Sequence, residues 1–325
     1  MADQNSPQIE GRINILSIGT RILLKDVMDQ YLRTLGDFQT HYAPTIASAI
    51  RIFQEGQIHV VISEVDLSDG SVYRLFKDLG GAGTEDETYF ILALEERSDQ
   101  LLALAEELEA DAVLVKPFSA ADLKAQMDRY SAWKSMPKDP WRLLVNEARF
   151  AARDKRFREA EENFREAVNS APGNPAPLVK AAQYFISKPD FVTAEAMLLK
   201  AVEARPKYVQ ALSLLGSLHL QQHDLVRADE YFQRAQALSP MNPDRVVDMV
   251  KLYVERCVES CKSALRVDSS SAMARLMLGK LLAVQKDYIG SVRELDRVLP
   301  VLKDNPKAEA QTFAALSRKL GGIAK

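Results

Sequence analysis

Between Trp141 and Asn242 one pattern recurs every 34 residues, three times without a gap, and no other feature restricts the fold of this chain so tightly. Ala160, Ala194 and Ala228 share one phase of it, and Phe164, Leu198 and Phe232 another. Ala167, Ala201 and Ala235 follow, then Pro172, Pro206 and Pro240. A period of this length is that of a helix-turn-helix unit, which buries its apolar face only by stacking on its neighbours. The C-terminal half is therefore expected to be an α-solenoid. Ala148, Ala182 and Gly216 fall where the two helices of a unit approach each other. Phe157, Phe191 and Leu225 fall where one unit is expected to seat on the next, and the prolines stop the second helices.

The N-terminal part has a different rhythm. Apolar runs at Ile13 to Ile18, Phe38 to Tyr42, His59 to Glu64, Phe90 to Leu94 and Ala112 to Val115 read as strands. Helical patterns at Ile22 to Leu35, Thr45 to Glu55, Ser71 to Leu79 and Ser98 to Leu108 alternate with them, and a last one follows at Ser119 to Trp133. Five such alternations predict a parallel sheet covered on both faces, a (βα)5 flavodoxin-like domain with its chemistry at the carboxyl ends of the strands. The expected organisation is a tail at 1–11, the α/β domain at 12–134, a linker at 135–140, helical repeats at 141–305, and a capping helix with a tail at 306–325.

A length of 325 residues accommodates two cores, and a hydrophobic share of 47% with 27% charged residues is that of an ordinary globular chain. The net charge of −3 leaves no basic footprint for nucleic acid. No apolar run approaches the roughly 20 residues of a membrane helix, and Met1 to Arg12 is polar, so the expected compartment is the cytoplasm, without membrane insertion. The two cysteines, Cys257 and Cys261, lie four apart on a helical pattern without further ligands nearby, which suits reduced thiols and no metal site. Among the four histidines only His219 and His223 share helical spacing, and no carboxylate completes a metal triad with them. No catalytic residues and no cofactor are expected.

The α/β segment resembles a response-regulator receiver domain. The motifs that carry the resemblance are Val61-Ile62-Ser63-Glu64-Val65-Asp66-Leu67-Ser68-Asp69-Gly70 after the third strand and Val115-Lys116-Pro117-Phe118 after the fifth. The resemblance implies an aspartate that accepts a phosphoryl group, an acidic pair that holds magnesium, a hydroxyl residue after the fourth strand and a lysine before proline after the fifth. In this chain the phosphoacceptor position is Glu64, the acidic pair falls on Gly19 and Thr20, and the hydroxyl position falls on Ala93. The aromatic of the fifth strand falls on Val113, and only Lys116, before Pro117, is retained. Magnesium is typically held by carboxylates together with phosphate oxygens, and phosphoryl transfer depends on it, so the domain is expected to be a pseudo-receiver that takes no phosphate. Two readings of Glu64 stand side by side. Its carboxylate either fixes a permanently activated-like state through Lys116, or forms a relict ion pair at a solvated edge, a pair of about 0 to 1 kcal/mol.

The repeats resemble the tetratricopeptide family, from Trp141 to about Leu302. Three regular units are followed by a shortened fourth, in which Ala264 comes 29 residues after Ala235, and by a fifth from Ala272 with Leu278-Gly279 at the close approach. The fourth reads either as one continuous helix or as a unit whose loop is absent from the sequence. Lys307 to Leu320 reads as the capping helix, ended by Gly321-Gly322.

By the same resemblance the concave groove is lined by Arg142, Arg149, Arg153, Gln183, Gln210, Ser217, Lys251 and Lys280. The Lys and Asn set that grips a terminal carboxylate is missing, and the expected ligand is a protein partner, a peptide or helical segment of acidic character that faces Arg149, Lys251 and Lys280. The implied role is a non-catalytic bacterial signalling adaptor or scaffold of a two-component pathway. Two other readings remain: a response regulator gated by phosphorylation of Asp66 or Asp69, and a scaffold that forms a homodimer through the last two receiver helices.

Overall fold

The computed structural model describes residues 12–19, 37–80 and 88–323. Thr20 and the helix expected over Ile22 to Leu35 lie outside the described residues. Five strands, β1 (Ile13–Ile18), β2 (Phe38–Ala43), β3 (Val60–Glu64), β6 (Tyr89–Leu94) and β7 (Ala112–Val115), pair in parallel in the order β2-β1-β3-β6-β7. Without the short hairpin described next, this is the 2-1-3-4-5 order of a flavodoxin-like sheet. Between β3 and the next helix, β4 (Asp66–Leu67) and β5 (Gly70–Ser71) form a two-residue hairpin that the strand pattern does not announce.

Alternation along each strand divides the core into two layers. Ile15, Val60, Ile62 and Ile91 face Leu123, Met127 and Tyr130 on one side. Leu16, Ile18, Val61 and Phe90 face Ile46, Ala49, Leu75 and Leu79 on the other. Every residue of β3 and β6 is buried, the signature of central strands covered on both faces. Helices α1 (Ile46–Glu55), α2 (Val72–Gly80), α3 (Asp99–Glu107) and α4 (Ala120–Ser135) supply the cover. The hydroxyls of Thr45, Ser98 and Ser119 accept from backbone N–H groups of the first turns and start α1, α3 and α4. Trp133, near the end of α4, packs on Tyr89 and Tyr130 and so belongs to this core.

Ahead of β7, Asp111 accepts a hydrogen bond from Phe90 N at 2.8 Å, and burial pushes its carboxyl up to about 6. The Phe90 N–H and the Arg142 charge act against that rise.

The helical region continues with α5 (Pro140–Arg153), α6 (Phe157–Ser170), α7 (Pro175–Ser187), α8 (Phe191–Ala204), α9 (Val209–Gln221) and α10 (Leu225–Leu238). It ends with α11 (Pro243–Val267), α12 (Ala272–Val284), α13 (Tyr288–Val298) and α14 (Asp304–Gly321). The chain forms two compact units: Met1–Leu215 with Gln233–Pro243, and Gly216–Phe232 with Asp244–Lys325. In the first unit Ala148, Ala160, Phe164 and Ala167 are buried with Ala181 and Tyr184, and the Phe164 and Tyr184 rings meet at 5.1 Å.

The seating role expected of Phe157 is not what the structure shows. Phe157 is 42% exposed beneath the Lys188 ammonium, and Phe191 and Leu225 are half-buried. Leu225 does pack on the Ala228, Phe232 and Leu252 cluster, whereas Phe157 lies at the rim, where buried Phe164 does the packing.

One turn geometry recurs in three of the helix pairs. Lys155, His223 and Lys286 adopt left-handed φ values of 62°, 61° and 64°. The next N–H in each case reaches back to the carbonyl five residues earlier: Arg156 to Ala151, Asp224 to His219, Asp287 to Leu282. This is the Schellman termination that releases each first helix into its turn.

In the second unit α11 is one continuous helix of 25 residues, with Cys257 exposed and Cys261 half-buried on it as free thiols. Helix α14 places Ala310 and Ala314 on Leu276, Leu295 and Val298 and ends on left-handed Gly322, as a solenoid cap does. The close approach is tight. A Cβ on Gly216 would stand 2.6 Å from the Phe232 ring, and one on Gly279 would stand 2.6 Å from Leu295 Cγ.

Two measurements follow. Gly216→Val is expected to lower stability by about 2–3 kcal/mol in urea unfolding of the full chain, because the added methyls meet the buried Phe232 ring. For Asp111 the folded chain holds the proton more tightly than the unfolded chain. This group therefore favours folding more as pH falls from about 6 to about 4. Asp111→Asn, which keeps the acceptor for Phe90 N, should remove that dependence and raise stability at neutral pH by on the order of 3 kcal/mol.

Candidate functional site

The carboxyl ends of β1, β3, β6 and β7 place Gly19, Glu64, Ala93 and Lys116 together, as the sequence predicts. Glu64 ends β3 and is 6% exposed, in register with buried Ala93 on β6. Its Oε1 accepts a short hydrogen bond from Lys116 Nζ, which also donates to Glu95 Oε1 at 2.9 Å. The side chains of Lys116 and Glu64 are 10% and 8% exposed, so the pair is buried and the solvated-edge reading does not hold. The reason lies in the sheet: β3 is central, and Lys116 extends past the last residue of edge strand β7 across the strand ends. The Lys116–Pro117 bond is cis.

Gly19 lies directly against the Glu64 side chain. A Cβ there would lie 2.5 Å from Glu64 Oε2 and 2.6 Å from Cδ. The longer glutamate therefore occupies the space that a side chain at position 19 would need. Tyr42, on the neighbouring strand, donates to the Gly19 carbonyl at 2.6 Å, and burial together with the Glu64 charge pushes its phenol up. Tyr42 and Glu95 are members of this site that the motif comparison does not name. Alternate residues of a strand and the loop after β6 supply them.

Of the other two carboxylates, Asp66 is exposed in the hairpin, whereas Asp69 is committed. Asp69 Oδ1 accepts from Ile46 N at 2.7 Å and Oδ2 from Ala47 N at 3.2 Å, at the N-terminus of α1. The Ile46 N–H holds its carboxyl below the usual range.

The groove candidates fall in both compact units. In the first, Gln183 and Arg153 are exposed, with the Arg153 guanidinium 5.1 Å over the Phe150 ring, and Arg149 is half-buried. Arg142 lies over the Trp141 ring beside Asp139, and its charge acts on Glu109 and Asp111. Gln210 donates to the Glu107 carbonyl at 2.7 Å. Those two residues therefore face the α/β domain and not an open concave surface.

In the second unit Ser217 and Lys251 line a cavity of about 670 Å³ with Leu220, Val250, Val254 and Val284. Two of the cations expected to meet an acidic ligand have partners within the unit. Lys251, itself exposed, donates to Asp248 at 2.7 Å, as does Ser217 at 2.8 Å, and Lys280 is paired with Glu309 of the capping helix. Apolar side chains also stand open at the cavity, with Val250 55% and Val284 61% accessible. Among the described residues no group of three or more His, Cys, Asp or Glu side chains could hold a metal ion, and no helix is long and apolar enough to cross a membrane.

The family model described as tetratricopeptide repeat matches residues 179–243. A search of curated proteins gives no match. Among solved structures, the chemotaxis response regulator CheY4 of Vibrio cholerae is 18% identical, over 37% of this chain and 99% of that one, with a TM-score of 0.35. The receiver domain of an HD-domain protein from Pseudomonas fluorescens is 21% identical, over 39% and 93%, with a TM-score of 0.35. The first repeat domain of Spaghetti (RPAP3), bound to an HSP90 peptide, is 19% identical, over 36% and 94%, with a TM-score of 0.34. By its strand order the N-terminal part is a flavodoxin-like (βα)5 domain, and the helical region that follows contains tetratricopeptide repeats over the matched residues 179–243.

Proposed function

We propose that the chain is a non-catalytic signalling adaptor whose receiver-like domain is locked against phosphorylation and whose repeats bind a protein partner. The observation that carries this reading is the buried Glu64–Lys116 pair beside Gly19. In it the lysine that would meet a phosphoryl group is already neutralised, and the carboxylate fills the space where metal-holding side chains would stand. Removing one partner of such a pair leaves a buried charge uncompensated, at a cost of about 3–5 kcal/mol, which supports a fixed arrangement. Of the two readings of Glu64, this favours the fixed state. Gating through Asp69 is disfavoured because its carboxylate already caps α1.

Tetratricopeptide repeats are protein-binding modules, and the cavity between Ser217 and Asp287 is the surface that suits a partner here. With Lys251 and Lys280 internally paired, the anchoring contacts would be apolar, made by a helical or extended segment on Leu220, Val250, Val254 and Val284. The compartment that suits this role is the cytoplasm.

Two experiments test the halves of the proposal separately. Incubation of the full chain with acetyl phosphate and magnesium should leave its intact mass unchanged, and stoichiometric acid-labile phosphorylation would refute the locked site. Proteins retained by the wild-type chain from native lysate should be lost with Val250→Glu/Val284→Glu. Retention of the same proteins by the variant would move recognition away from this cavity.

A further inference from the structure

Helix α3 ends in Glu106 and Glu107, with Glu109 and Asp111 just beyond, and has no basic residue in its last turn. Carboxylates in that place face the negative end of the helix dipole, which costs stability unless donors from elsewhere meet them. The donors come from the repeats. Arg205, which follows α8, pairs with Glu106, and Lys180 on α7 pairs with Glu109 at 2.9 Å. Glu107 is 8% exposed and accepts three side-chain hydrogen bonds. Tyr73 Oη on α2 donates at 2.5 Å, Ser239 Oγ at 2.7 Å and Asn242 Nδ2 at 2.7 Å. Its carbonyl accepts from Gln210 on α9. Glu109 takes a left-handed φ of 57°, which turns the chain so that its carboxylate reaches Lys180. Tyr208 is buried beside this group, its phenol pushed up by burial and by the Glu109 charge. All of these residues belong to the first compact unit.

The half-exposed Arg205–Glu106 pair would contribute little alone. Glu107 is different, since its charge is buried and its donors come from separate elements. We propose that the segment from Glu106 to Asp111 is an intramolecular ligand of the first three repeats. It fixes the receiver-like domain to them and occupies in cis a basic edge, made by Arg142, Lys180 and Arg205, that would otherwise accept an acidic segment of another protein. This autoinhibitory contact is independent of the binding cavity of the second unit.

Nitroxide labels at Arg97→Cys and Lys200→Cys, in a full chain carrying Cys257→Ser and Cys261→Ser, would report the coupling by double electron-electron resonance. The parent should give one narrow distance distribution, and Glu106→Arg/Glu107→Ala should at least double its width. The charge swap Glu106→Arg/Arg205→Glu, which keeps Glu107, should return it to the parent width. A broad distribution in the parent, or an unchanged width in the Glu107 variant, would overturn the proposal. A fluorescein-labelled peptide copying residues 104–111 tests the occupancy. It should bind Glu106→Ala/Glu107→Ala/Glu109→Ala at least tenfold more tightly than the parent, and equal binding to both, or binding to neither, would refute occupancy.

Discussion

Each helix pair in the C-terminal half exists because two backbones come close enough to share one apolar layer, and that closeness is set by the absence of a side chain. Where Gly216 and Gly279 stand, the facing residue fills the gap directly, Phe232 in one case and Leu295 in the other. Where alanine stands, at 148 and 182, the residue is fully buried with no room to spare. The capping helix, the recurrent left-handed turns and the long α11 are ways of ending, joining or lengthening helices that this packing has already placed.

The receiver-like half shows how little chemistry a fold guarantees. Its sheet has the flavodoxin-like order with buried central strands, and what stands at the strand ends is set by a few side chains. The Glu64 carboxylate is spent on Lys116 and both side chains are buried, so removing either would strand the charge of the other.

Much of this was legible in the residues. Strand positions followed from apolar runs, the repeats from their period, and the meeting of Gly19, Glu64, Ala93 and Lys116 from their places at the strand ends. What escaped was whatever depends on distant pairing. Lys280 looked like a ligand contact because nothing local reveals Glu309 on the cap, whereas the Asp248 partner of Lys251, three residues back on the same helix, was open to view. Glu107 meets Ser239 and Asn242 across more than a hundred residues of chain, and only the acidic end of α3, wrong for a helix standing alone, hinted that donors would arrive. Phe157 misled for the opposite reason: its place in the period was right, but a first-turn residue sits at the rim, where periodicity does not predict burial.

The steric relation between Gly19 and Glu64 also sets an order of tolerance. A Cβ at 19 and a glutamate held on Lys116 cannot share the same space, so a side chain enters at 19 only after Glu64 is shortened or turned away, whereas Glu64 can be shortened while glycine stays. Substitution at this pair therefore has a direction, and position 64 is the one that must move first.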